Sequence, residues 1–202
     1  MSIDASMVDL AFALQGKTVP RDYRRPLAAA LELALPWLTG APGAGVHRLN
    51  LSPGAGEQAL LAQRTRLVLR LPREGAGAAR ALEGQCLDLA GHPLQVGRLQ
   101  TRELLPWNTL YAHLVASASA DEAAFMQEVD AELQQLGVPC RPICGRHQTL
   151  EAGTLQGFGL MLDGLTAAAA LQLLQLGLGR HRRLGCGLFV PHKSAAAVGM
   201  SA

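Results

Sequence analysis

Residues 176–191 read LGLGRHRRLGCGLFVP. Two Gly-x-Gly pairs, Gly177/Gly179 and Gly185/Gly187, bracket Arg180, His181, Arg182 and Arg183, and an apolar run and a proline follow. Glycine lets backbone N–H groups approach a ligand closely, and guanidinium groups pair well with phosphate. What lies on either side of this stretch decides the fold. A phosphate-binding P-loop follows a strand, opens a helix and carries Gly-Lys-Ser/Thr. A dinucleotide loop also sits between a strand and a helix. Here the order is inverted and there is no lysine: TAAAALQLLQL at 166–176 reads as a helix starting at Thr166, and Cys186–Val190 reads as a strand. Both nucleotide-loop readings fail on context, leaving a basic, glycine-rich loop between the last helix and the last strand.

Working backward from that loop, residues 141–150 and 154–162 read as two strands joined by a hairpin turn at Glu151–Gly153. Residues 120–136 read as a helix with Phe125, Val129, Leu133 and Leu136 on one face. Asp121 and Glu122 lie in its first turn, where the helix dipole favours acids. NTLYAHLVAS at 108–117 reads as a strand. The order is β-α-β-β-α-β, and the first half repeats it. MVDLAFALQ at 7–15 is a strand, and 21–36 a helix with Leu27, Leu31, Ala34 and Leu35 on one face. GVHRLNL at 45–51 and RTRLVLRL at 64–71 are strands, 74–83 a small helix, and 86–90 and 94–99 strand-like. The expected fold is therefore α+β, two tandem ferredoxin-like domains, the plan that RNA-recognition domains also use. Pro106 and Trp107 mark the expected boundary, which gives domains 1–104 and 105–193 and a tail at 194–202 rich in Ala, Gly and Ser.

Hydrophobic residues make up 49% of the 202, enough for a core and against disorder. Aromatics are only 4%, which argues against extensive base stacking. A net charge of +2 excludes a globally basic nucleic-acid binder, so any basic site is local. Arginine does cluster, at 21–25, 64–70 and 180–183, while Lys17 and Lys193 are the only lysines. Cys86, Cys140, Cys144 and Cys186 match no metal-ligand spacing, so no metal or cofactor is expected, and free thiols fit a reducing cytoplasm. The N-terminus lacks a signal peptide, and no apolar run reaches the ~18 residues that span a membrane.

The Gly-Leu-Gly, five-residue, Gly-Cys-Gly pattern, followed by an apolar run and a proline, resembles the C-terminal glycine-rich loop of the RAMP superfamily. More narrowly, the loop, the duplicated fold and the length are similar to the CRISPR-associated repeat-RNA-processing endoribonucleases, the Cas-six family. The resemblance covers nearly the whole chain. It implies a metal-independent cut in the repeat of a precursor CRISPR RNA. The 2′-hydroxyl attacks the scissile phosphate, leaving a 2′,3′-cyclic phosphate and a 5′-hydroxyl. It also implies a stem-loop repeat as partner, other effector-complex subunits as possible partners, and retention of the product. The alternatives are a non-catalytic RNA-binding RAMP subunit and, outside RNA biology, a ferredoxin-like protein using 176–191 for a small phosphorylated ligand.

Such a cleavage needs a base, an acid and positive charge at the phosphorane, and histidine suits the first two near neutral pH. Of His47, His92, His113, His147, His181 and His192, His47 in GAGVHRL follows the first helix, where the resemblance places a catalytic histidine. Tyr23 sits among Arg21, Arg24 and Arg25 at the start of that helix, and Lys17 just precedes it. Both are candidates to support His47. Arg64, Arg66 and Arg70 share one face of the strand at 64–71 with Val68 and are expected to meet RNA. Gly177, Gly179, Arg180, His181, Arg182, Arg183, Gly185 and Gly187 complete the expected RNA-binding set. On this view the loop grips, and the cutting is done about 130 residues earlier, near His47.

Overall fold

A computed structural model describes residues 6–193. In chain order the elements are β1 (Met7–Gln15), β2 (Thr18–Pro20), α1 (Arg24–Ala34), β3 (Gly45–Val46), β4 (Leu51–Pro53), β5 (Gln58–Leu61) and β6 (Arg66–Pro72). Then follow α2 (Ala76–Ala79), flanked by 3₁₀ turns, β7 (Cys86–Asp88) and β8 (Pro93–Glu103). The second half holds β9 (Leu110–Ala116), α3 (Glu122–Leu136), β10 (Arg141–Leu150), β11 (Leu155–Asp163), α4 (Ala167–Leu176) and β12 (Phe189–Pro191).

The chain packs as two compact units. One comprises Ser6–Glu103 together with Arg182–Gly185, and the other contains Leu104–His181 and the segment from Cys186. In the first unit the main sheet runs β3-β6-β1-β8-β7, all pairs antiparallel. Placing β1 between β6 and β8, with β3 outside β6, gives the strand order of a ferredoxin-like β-α-β-β-α-β unit, extended at one edge by β7. One face is the core. Val8, Leu10, Phe12 and Leu14 of β1 and Leu67, Leu69 and Leu71 of β6 are buried with Leu27 and Leu31 of α1. Each such side chain contributes about 1.5–3 kcal/mol by leaving water.

The second unit repeats the plan more strictly, with order β10-β11-β9-β12. Its helices are bounded by the residues the sequence offers. The Asp121 carboxylate accepts the Ala124 N–H at 2.7 Å, and Gly137 ends α3 with φ 65°. The Thr166 hydroxyl accepts the Ala169 N–H at the start of α4. Phe125 of α3 stacks on Phe158 of β11 with ring centroids 4.7 Å apart.

Two expectations needed correction. The strand expected over 45–51 pairs with β6 only at Gly45–Val46, and Leu51–Pro53 belongs instead to a separate sheet ordered β2-β5-β4. Side chains take over the backbone groups in between. The Leu49 N–H donates to the Tyr23 hydroxyl at 2.8 Å, and the Thr65 hydroxyl donates to the Asn50 carbonyl at 2.6 Å. Of the segment read as a strand over 186–190, the structure keeps Phe189–Pro191.

Candidate functional site

His47 stands at the point where the chain leaves the main sheet of the first unit. Its backbone N–H still donates to the Val68 carbonyl of β6 at 2.9 Å, which fixes the residue against the sheet. The ring turns Nε2 inward, where that nitrogen is buried and makes no hydrogen bond among the described residues. Asp9 of β1 places its Oδ1 3.5 Å from Nε2. Arg70 of β6 grips the same carboxylate with two parallel bonds, Nε to Oδ1 at 2.7 Å and Nη2 to Oδ2 at 2.8 Å. A bidentate guanidinium–carboxylate pair is strong and geometrically specific.

Arg182, from the glycine-rich stretch, completes the cluster. Its Nε donates to the Gly43 carbonyl at 3.0 Å. Its charge bears on His47, and it feels both Arg70 and Asp9. Beside this cluster His47 also lines a small recess with Tyr23, Arg24, Arg48 and Arg183.

The electrostatics follow from burial and crowding. Burial alone would raise the Asp9 carboxyl, but Arg70 and His47 outweigh it and hold the group well below the usual carboxylate range. Burial pushes His47 below the ordinary imidazole value. Asp9 pulls upward against it, and Arg70 and Arg182 add to the downward push. Burial and the neighbouring Arg70 lower Arg182 to about 10, which leaves it charged at neutral pH. The cluster thus offers a neutral imidazole, a locked carboxylate and a cation side by side, a set that can move a proton next to a negatively charged group.

The other expected residues are distributed differently. Tyr23 is 8% exposed and its hydroxyl accepts the Leu49 N–H, so it shapes the chain beside His47. Lys17 is exposed in the turn between β1 and β2, and no hydrogen bond or ion pair among the described residues links it to His47. Arg70 shares its strand face with Arg66 and Val68 as expected, but it is 1% exposed and spent on Asp9, so it does not present itself to an RNA backbone. Arg24 is buried as well, with Nη1 donating to the Leu184 carbonyl. Arg21, Arg25, Arg64, Arg66 and Arg180 are exposed. Arg183 is half-buried and paired with Glu32 of α1.

The loop glycines have structural work of their own. Gly177, Gly179, Gly185 and Gly187 all have positive φ, between 66° and 78°. A Cβ on Gly187 would stand 1.8 Å from the Leu178 carbonyl oxygen, and one on Gly185 would meet Arg24 Nη1 at 2.6 Å.

The remaining histidines sit elsewhere. His113 and His192 pack against Tyr111, His147 lies edge-on to Phe158, and His92 Nδ1 bonds the Thr18 hydroxyl at 2.9 Å. His181 is exposed with φ 65°. Asp9 was missed from sequence, although a lone carboxylate in an otherwise apolar strand was the available signal. Among the described residues no three His, Cys, Asp or Glu side chains gather in a way that would hold a metal ion, and no helix is long and apolar enough to cross a membrane.

Comparison with known proteins agrees with this architecture. The family model described as Cas6 Crispr matches residues 8–194. A protein of Myxococcus xanthus (strain DK1622) named CRISPR-associated endonuclease Cas6 is 36% identical over 194 residues, covering 95% of this chain and 84% of that protein. A solved CRISPR-associated protein Cas6 superposes with a TM-score of 0.65 at 8% identity, covering 93% of this chain and all of that one. A RAMP protein described as binding different RNA substrates gives 0.63 at 12% identity, covering 90% of this chain and 98% of that one. The tandem ferredoxin-like chain described here belongs to the Cas6 family.

Proposed function

We propose that this chain is an endoribonuclease that cleaves CRISPR repeat RNA within a precursor transcript, with His47 as the proton-transfer residue. The observation that carries the proposal is the His47 cluster: an imidazole biased toward its neutral form, a locked carboxylate behind it, and Arg182 from the glycine-rich stretch beside it. Family membership supports it, as does the name of the Myxococcus xanthus relative.

In the proposed reaction the 2′-hydroxyl oxygen attacks the adjacent phosphorus and the P–O5′ bond breaks. The products are a 2′,3′-cyclic phosphate and a 5′-hydroxyl, and no metal takes part. Charge builds on the non-bridging oxygens in the transition state, where a fixed cation is worth most. The exposed Arg21, Arg25, Arg64, Arg66 and Arg180 hold the RNA, a stem-loop repeat, through its backbone. Tyr23 supports His47 by holding the chain at Leu49, and Lys17 contributes charge at a distance. The site lies in the cytoplasm, a setting that the free thiols of Cys86, Cys140 and Cys144 suit.

The test is single-turnover cleavage of a repeat-bearing transcript by the wild type and His47→Ala, with and without a chelator, and with the product ends mapped. Loss of cleavage with retained binding in His47→Ala, cyclic-phosphate ends and indifference to chelation are expected. Equal cleavage by both proteins would overturn the role of His47. Tight binding with no cleavage by the wild type would favour a binding-only subunit.

A further inference from the structure

We infer that Asp9 is the positioning residue for His47: clamped by Arg70, its carboxylate holds the Nε2 edge of the imidazole inward and leaves Nδ1 as the nitrogen that takes the proton from the substrate. The inference rests on the proposed proton-transfer role of His47.

The chemistry follows from donors and acceptors. A neutral imidazole carries one N–H, and an ionised carboxylate only accepts. Nε2 is buried, has no hydrogen-bond partner, and faces Asp9 Oδ1 at 3.5 Å. A bare lone pair there would oppose a full negative charge, so the proton belongs on Nε2. Arg70 does not exhaust the acceptor. It takes one direction at each oxygen, and each carboxylate oxygen offers two. At 3.5 Å the contact is longer than a formed hydrogen bond, and catalytic contacts of this kind tighten when substrate is bound.

The position is also held from behind. Asp9 and Arg70 are opposite one another in the β1–β6 register, and the His47 backbone is bonded to Val68 on the same strand as Arg70. With Nε2 turned inward and buried, Nδ1 is the ring nitrogen left for the substrate. In the step itself, the O2′–P bond forms and the P–O5′ bond breaks. The O2′ proton passes to Nδ1, and the departing O5′ takes a proton from water. The imidazolium that results keeps its Nε2–H toward Asp9, where the charge is stabilised, and then returns the Nδ1 proton to the hydroxide that the water leaves.

The surroundings make Asp9 distinctive. Around His47 the charged groups are Asp9 on β1, Arg70 on β6 and Arg182, with Arg24, Arg48 and Arg183 about the recess. Exposed Arg102 of β8 is the other cross-strand neighbour of Asp9. Every one of these except Asp9 disfavours the imidazolium.

The experiment has two arms. First, kcat and KM for a repeat-bearing transcript are measured against pH for the wild type, Asp9→Asn and His47→Ala. Asp9→Asn is expected to lower kcat by about tenfold or more with KM little changed. It also moves the acid limb of kcat/KM to lower pH, because removing the carboxylate makes the imidazole harder to protonate. Second, ¹⁵N chemical shifts of the His47 ring are read in the wild-type protein above its pKa. They are expected to show Nε2 protonated and Nδ1 bare. The second arm needs no variant and decides the question if Asp9→Asn fails to fold. An Nδ1-protonated ring overturns the inference, as does an Asp9→Asn enzyme with wild-type rate and pH profile while His47→Ala is inactive. If His47→Ala itself cleaves normally, the role of His47 fails first, and the inference falls with it.

Discussion

Asp9 and Arg70 face each other across β1 and β6 and are joined through both carboxylate oxygens, at 2.7 and 2.8 Å, with Arg70 1% exposed and the Asp9 side chain 16% exposed. Removing one partner of so enclosed a pair leaves the other charge desolvated, whereas removing both is far milder. Arg70→Met is therefore expected to destabilise the protein by about 3 kcal/mol in urea unfolding, and the Asp9→Asn/Arg70→Met double variant to recover most of that loss. A double variant as unstable as the single would show that Arg70 acts through packing and not through the pair.

Acid should unfold the protein in two stages, and the sign of each follows from its pKa shift. His47 is lowered in the folded state, so below about pH 6.5 the unfolded chain takes up the proton first and stability falls. Asp9 is also lowered. Its contribution is present above the ordinary carboxylate value, about pH 4, and is lost as pH falls further toward its folded value. Exposed Glu103, held down by hydrogen bonds from Arg73, and part-buried Asp163, held down by one from Thr109, act in the same lower window. Comparison with Arg70→Met isolates the Asp9 part. Denaturant midpoints measured between pH 3 and 8 should fall less steeply below pH 4 in that variant. Equal slopes would remove Asp9 as the cause.

Gly187 and Gly91 offer a controlled contrast in backbone strain. Both have positive φ, 66° and 86°, but a Cβ on Gly187 would lie 1.8 Å from the Leu178 carbonyl oxygen, while nothing lies within 4 Å of one on Gly91. Gly91→Ala should cost about 1 kcal/mol, the usual left-handed penalty. Gly187→Ala must also break the approach of Leu178, whose N–H donates to the Gly187 carbonyl at 3.2 Å, and should cost about 3 kcal/mol or more. Thermal melts of the two variants decide it. Equal losses would mean that the close approach is not what demands glycine at 187.

The fold was legible where hydrophobic period and turn chemistry agreed. Thr65, Leu67, Leu69 and Leu71 are all buried as the alternation predicts, and the turn at Glu151–Gly153 joins β10 and β11. It was illegible where a distant side chain overrode the local pattern. GVHRLNL has the composition of one strand, but a tyrosine hydroxyl 26 residues away captures the Leu49 N–H and the strand ends. Arg70 has the alternation of an outward residue, yet its partner Asp9 lies 61 residues earlier. His47 entered as a candidate through a resemblance, whereas Asp9 and the placement of Arg182 depend on pairing across 61 and 139 residues that no local pattern encodes.

That placement changes what the loop arginines should do. Arg182 packs with the first unit, bonded to the Gly43 carbonyl and close enough to His47 to shift its proton affinity, and it stays charged at neutral pH. Arg180, two positions earlier, is exposed. If His47 transfers the proton, a cation beside it acts on charge that develops during reaction, so its removal should fall mainly on the chemical step. Arg182→Ala is therefore expected to slow single-turnover cleavage at saturating RNA by about a hundredfold, with binding weakened much less. Arg180→Ala should do the opposite: cleavage at saturation is nearly unchanged, affinity falls, and the slope of log affinity against log salt flattens by about 0.7 for a lost single-strand phosphate contact. Filter binding across a salt series and rapid-quench cleavage measure both. If Arg182→Ala weakened binding alone, the loop would serve only to grip, and the cation required at the phosphate would have to come from another residue of the recess.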